Sequence, residues 1–445
     1  MKRLFVLLMI AGTIVSCQWA KWQVPVNIGV QLQYEDSNFD VEGIKIVLSD
    51  AGGLVNYTAT TNASGYAEFH VPAGQYTATA IYKIKKITAE GERISYNGTK
   101  SGIVAGSKNN ELFKIDLLKV VSQQVIIKEL YNGGCLSADG LGAYQSDQYF
   151  TIYNNSAETA DISDLVFGIG CPYESYTNNL YYGEDGVLIY EKEDWIPAAG
   201  ALWWFMEEQV TLAPYTSLTV AVFSATDHTS VNPNSVDLSK EEYYWMCNVG
   251  LGQMYDRARK YAVSENIPQS HYLTGKAFAS TPTGWPLSTA SPTFFTGKMP
   301  REQALALCLD TQALDKTLGA GAMFACVKFP KSCVYDAVEV WTKGNEATSH
   351  VRFSADINSN YVLLTPKLGY SVYRNVDKEA TEELPENAGK LVYGYTGGTD
   401  DVEGTTDPSG IDAEASIANG AHIIYSDTNN SFVDFHQRKV ISLKK

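Results

Sequence analysis

The chain has 445 residues, with 34 Lys+Arg against 50 Asp+Glu and a formal net charge of −16. At 45% hydrophobic and 19% charged residues it is a globular chain, outside the disordered class and long enough for two to four domains. The acidic balance excludes a phosphate-binding surface of the kind nucleic acid needs, and 28 Tyr with 36 Gly against 15 Pro lean toward strands and turns.

Met1-Lys2-Arg3 gives a cationic start, and Leu4 to Val15 is an apolar run too short to span a bilayer. Such a run reads as the apolar region of a signal peptide over residues 1–16. It ends Ile14-Val15-Ser16-Cys17, which resembles a bacterial lipobox with Cys17 as the lipidated residue. Residues 17–23 then form a tether. Gln18 is not Asp, which favours the outer membrane, with the cell surface and the periplasmic face both open. No later apolar run reaches 18 residues, so the lipid would be the anchor.

From residue 24 the pattern alternates. Val24, Val26, Ile28, Val30, Leu32 and Tyr34 have the period of a half-buried strand, repeated by Ile44, Ile46 and Leu48. Asn62-Ala63-Ser64-Gly65 is a turn, and Phe69, Val71, Tyr76, Ala78 and Ala80 would share one core. Phe113, Ile115 and Leu117 close the segment. It resembles the carboxypeptidase-regulatory-like, transthyretin-like sandwich over 24–118, which implies a spacer or scaffold.

Residues 119–445 begin a second β domain. Val125 to Tyr131 and Asp147 to Ser156 are strands, followed by Val210 to Val220, Val334 to Val340, Gly369 to Arg374 and a closing Asp427-Thr428-Asn429-Asn430-Ser431-Phe432-Val433-Asp434-Phe435. The order is similar to the lamin-tail type of Ig-like sandwich, with about 226–326 as a partly helical insertion. There, Asp237 to Trp245 reads as a helix start, with Ser239 and Glu242 at capping-box spacing. A second helix is expected from Pro300 to Leu314, striped by Leu305, Cys308 and Leu309. The whole is mainly β: two Ig-like sandwiches, the second large. It resembles a family of Bacteroidetes lipoproteins, and that resemblance implies an anchored, non-enzymatic protein.

No nucleophile-elbow, phosphate-loop or His-Glu-x-x-His motif occurs, and the six His are scattered, so no catalytic residue, metal ligand or cofactor is expected. With Cys17 lipidated, six Cys remain. Exported chains permit disulfides, and Cys135–Cys171 and Cys326–Cys333 are the preferred pairs against buried free thiols. The acidic run from Gly397 to Glu414 would suit Ca²⁺ or, more simply, a solvated loop.

Aromatic clusters are the binding candidates: Trp203-Trp204, Tyr181-Tyr182 and Tyr244-Trp245, weighed against plain core packing. Alternation along a strand puts one of Trp203 and Trp204 in the core and the other outside. The expected function is a lipid-anchored, non-catalytic outer-membrane binding or scaffold protein. Its partner would be a protein such as a membrane transporter or an extracellular matrix; the alternatives are a glycan-binding surface lipoprotein and, behind both, a hydrolase.

Overall fold

The computed structural model describes residues 25–34, 40–50, 55–83, 93–106, 110–176, 182–183, 187–246, 262–278, 290–310, 326–399 and 405–444. Cys17, Tyr181 and the signal region lie outside them. The fold is mainly β and divides into two compact units, 1–87 with 94–119 and 88–93 with 120–445. Among the described residues no helix is long and apolar enough to cross a membrane.

In the first unit, Val26–Gln33 pairs antiparallel with Tyr66–Val71 and parallel with Glu111–Asp116. A second sheet runs in the order Asn56–Thr60, Lys45–Asp50, Gly74–Lys83, Ile94–Ala105, Leu118–Val121. The alternation in the sequence becomes one core: Ile28, Val30 and Leu32 pack with Ile46, Leu48, Phe69, Val71, Ala78 and Ala80. Each buried Ile, Val, Leu or Phe side chain here contributes about 1.5–3 kcal/mol. The Asn62–Tyr66 turn is held by Asn62 Oδ1, which accepts from Ser64 N at 3.0 Å and Tyr66 N at 3.1 Å. Gly65 completes it at φ +76°, a conformation that favours glycine.

The second unit is built on a twelve-stranded sheet. In spatial order its strands are Val362–Leu364, Val334–Thr342, Thr293–Lys298, Leu165–Ile169, Ala201–Phe205, Tyr272–Ala277, Tyr244–Met246, Ser217–Ala221, Tyr149–Asn154, Val125–Tyr131, Ser371–Arg374 and Phe435–Arg438. Every residue of Val125–Tyr131 and Tyr149–Asn154 is buried, so both faces of the sheet are covered there. Ile127, Phe150, Ile152, Phe167 and Trp203 fill one core, while Val166, Leu202, Trp204 and Phe295 fill another.

Within 226–326, the Tyr244–Met246, Tyr272–Ala277 and Thr293–Lys298 strands belong to this sheet. The helix expected at Asp237 does not form. Asp237 Oδ1 instead accepts from Ser239 N and Oγ, at 2.9 and 2.6 Å, and the chain turns into the Tyr244–Met246 strand. That local side-chain bonding competes with the helical cap. The helix at Pro300 does form, with Pro300 as its cap, but spans only Arg301–Ala306. Ala304 is its buried residue, while Leu305 and Cys308 are exposed. Residues 311–325 lie outside the described chain.

Candidate functional site

The sequence-predicted aromatics are mostly core. Trp203 is 0%, Trp204 3%, Tyr244 7% and Trp245 8% exposed. Both tryptophans of the pair are buried because each face of their strand meets a hydrophobic cluster. Trp245 donates Nε1–H to Phe223 O at 2.8 Å, and Tyr244 stacks on His271 at 4.3 Å. Tyr182 is half-buried and donates its hydroxyl to Val351 O at 2.8 Å.

The cysteines are also placed differently from the expected pairs, and no disulfide joins Cys135 to Cys171 or Cys326 to Cys333. Cys135 Sγ donates to Asp147 Oδ2 at 3.6 Å, beside Tyr131 and Ser235 hydroxyls that bond the same oxygen. Burial pushes the Asp147 carboxyl above its ordinary pKa and raises the Cys135 thiol to about 11. Cys171 and Cys326 instead share one cluster with Leu188, Tyr190 and Trp195. Ala198 pairs with Val327 and bridges to Gly170, which brings the strand starting at Cys326 beside Cys171.

Most buried charge is engaged in holding the fold. Arg374 donates to Asp336 Oδ2, reaches Asp427 Oδ1 at 3.4 Å and lies 4.3 Å over the Phe435 ring. Asp434 accepts from Thr428 N and Oγ1 and from Asn430 N, while the Asn430 side chain caps Phe432 N. The closing Asp427–Phe435 motif is thus a lock between strands. In the acidic run, Asp407 accepts from Val376 N, Asp412 caps the Ala413–Ala418 helix and Glu414 pairs with Lys128 at 2.8 Å. Burial opposes ionisation of Glu414, but Lys128 and the Tyr373 hydroxyl outweigh it and lower the pKa. Among the described residues no group of three or more His, Cys, Asp or Glu is placed to hold a metal ion. Asp400, Asp401 and Glu403 lie outside them.

A different aromatic stands at the surface. Tyr393 is 56% exposed and borders an open cleft of about 270 Å³ lined by Glu382, Asn387, Ala388, Gly389 and Leu391. Its ring is braced. The hydroxyl donates to Glu382 Oε1 at 2.9 Å, a bond that also raises the phenol's pKa, and the backbone bridges to Ile411. Glu382 ends the Lys378–Glu382 helix, capped by Asp377. The i, i+4 spacing puts Lys378 on the same face, and its Nζ lies 6.0 Å from the Tyr393 ring centroid.

The cleft floor is fixed from behind. Asn387 is 2% exposed; its Nδ2 donates to Thr381 O at 2.8 Å and His422 O at 2.7 Å, and its Oδ1 accepts from His422 N at 2.8 Å. Leu391 packs against the Ile126, Tyr153 and Ile411 cluster. Gly394, at φ +82°, turns the chain away directly after Tyr393. The arrangement offers a rigid aromatic face, one carboxylate, one ammonium and small apolar walls. Sequence reasoning missed Tyr393; the Lys378/Glu382 spacing and the Tyr393-Gly394 pair are the faint signals it left.

Residues 213–409 match the model of a protein family of unknown function, DUF4876. That match includes the whole cleft. A solved DUF4876 family protein from Bacteroides thetaiotaomicron is similar over 93% of this chain and 95% of its own, at 19% identity and a TM-score of 0.49. A candidate carbohydrate-binding protein from Pseudomonas aeruginosa aligns over 21% of this chain and 90% of its own, at 15% identity and a TM-score of 0.17. A candidate polysaccharide-binding protein from Bacteroides thetaiotaomicron covers 37% of this chain and 61% of its own, at 15% identity and a TM-score of 0.16. No curated protein matches the chain.

Proposed function

We propose that the chain is a non-catalytic binding protein, lipid-anchored at Cys17 in the outer membrane, that engages a protein or glycan partner through the cleft beside Tyr393. One observation carries this reading: an exposed aromatic ring, held by a carboxylate on a capped helix, borders an open cleft. Asp336, Glu339, Asp427 and His436 are all buried in structural contacts, away from the cleft. The lipobox at Ile14–Cys17 supports the anchor, and the regulatory-like segment at 24–118 would act as the spacer between lipid and cleft.

Binding is tested by a benzophenone amino acid at position 388, an exposed residue of the cleft lining, in the full chain in intact cells. Illumination produces a covalent adduct at this position and none with the same probe at position 34. Absence of any adduct at position 388 overturns the reading. The anchor is tested separately: labelled palmitate enters the wild-type chain and not Cys17→Ser, and equal labelling removes the lipid site.

A further inference from the structure

We propose that the Tyr393 cleft takes a neutral saccharide, a ring of a longer glycan, stacked on the Tyr393 face with its hydroxyls held by Glu382 and Lys378. This rests on the binding reading above and names its ligand class.

The geometry matches three needs of a sugar ring. Its C–H face needs a flat apolar partner, and the exposed Tyr393 ring supplies one. That ring is fixed before the ligand arrives, by the 2.9 Å bond to Glu382 and the backbone bridge to Ile411, so little ordering entropy is lost on stacking. The hydroxyl edge needs acceptors and donors together. A carboxylate carries about four lone-pair sites, of which the phenol occupies one, and the Lys378 ammonium brings donors only. Ala388 and Gly389 add small residues to the lining of the open cleft.

The same groups select against other ligands. An anionic glycan would bring its charge against Glu382, with Glu379, Glu383 and Glu386 on the neighbouring turns and a chain of net charge −16. A cationic ligand would meet the like charge of the Lys378 ammonium, which lies 6.0 Å from the ring centroid. The cleft is open, which suits an internal or terminal unit of a polymer better than a small molecule enclosed on all sides.

The test is calorimetry of the full mature chain with a defined panel. The neutral arm holds the hexasaccharides of cellulose, laminarin, mannan, xylan, starch and chitin; the anionic arm holds oligogalacturonate and a heparin hexasaccharide. At least one neutral member binds and the anionic arm does not. Tyr393→Ala weakens that binding about tenfold or more, Tyr393→Phe stays within about threefold because the stacking face survives, and Glu382→Gln falls between them. Unchanged thermal melts show that each variant is folded. No neutral binding at about 10 mM sugar, binding by the anionic arm alone, or wild-type affinity in Tyr393→Ala overturns the saccharide. The photoprobe at position 388 separates the two failures. An adduct that periodate leaves intact and that yields peptides of a second protein by mass spectrometry removes the saccharide and leaves the binding reading; no adduct removes both.

Discussion

Arg352 Nη2 lies 2.5 Å from Glu339 Oε1, with both side chains fully buried. Arg352 Nε and Trp341 Nε1 donate to the same carboxylate oxygen at 3.0 Å, and Thr293 Oγ1 donates to the other at 2.5 Å. Removing one member leaves an uncompensated buried charge. Glu339→Leu is expected to cost about 3–5 kcal/mol in urea unfolding, and the double variant Glu339→Leu/Arg352→Met distinctly less. A single variant within about 1 kcal/mol of wild type would contradict this account of the pair.

Asp427 gives a pH dependence of definite sign. Burial first, and then the Asp336 charge, push its carboxyl from 3.8 up to about 7, against the pull of Arg374. Between those values the folded chain holds a proton that the unfolded chain has released. This contribution to stability is therefore fully present below about pH 4 and is lost as pH rises through about 7. The stability difference between wild type and Asp427→Asn should fall from pH 5 to pH 8, measured as paired urea midpoints. A flat difference would show that Asp427 titrates as an ordinary carboxylate.

His436 acts in the opposite sense. Burial, reinforced by Arg438, lowers its pKa from 6.5 to about 3. The ring contacts Asn375 Oδ1 through Nδ1 and the Tyr395 hydroxyl through Nε2, both at 2.7 Å, a pairing that suits the neutral tautomer with Nδ1 protonated. Its contribution is present above about pH 6.5 and is lost progressively as pH falls toward 3. In ¹⁵N-histidine spectra the resonance missing from His436→Gln should keep neutral-imidazole shifts at pH 5. Protonated shifts there would refute the buried neutral ring.

Gly275 faces Trp203 in the sheet register, and a Cβ at 275 would lie 2.8 Å from the Trp203 ring and 2.9 Å from Leu202 O. Neither can move freely, since Trp203 is fully buried and Leu202 O is backbone. Gly275→Ala is expected to destabilise by about 1–3 kcal/mol, read by thermal or urea unfolding. A neutral effect would mean the core around Trp203 is looser than described.

The first unit was the more legible in sequence. Ile28, Val30 and Leu32 alternate because their buried face differs from the other, so period two survives. In the second unit Trp203 and Trp204 read as one inside and one outside, yet a sheet covered on both faces buries both. Asp237 to Tyr243 carried helix spacing, but Asp237 bonds Ser239 locally and the chain goes on into a strand. Cys171 and Cys326 meet only through long-range strand pairing, which spacing does not encode. Tyr393 lacked any period because it stands singly at an isolated bridge to Ile411, and Glu382, which holds its hydroxyl, lies eleven residues upstream.

The central claim is that Tyr393 is the contact face of a binding site. The most direct measurement compares photoprobe capture at position 388 in intact cells between chains with Tyr393 and with Tyr393→Ala, at equal surface abundance and equal melting temperature. The account predicts that capture falls about tenfold or more in the variant. Equal capture by the two chains would contradict it.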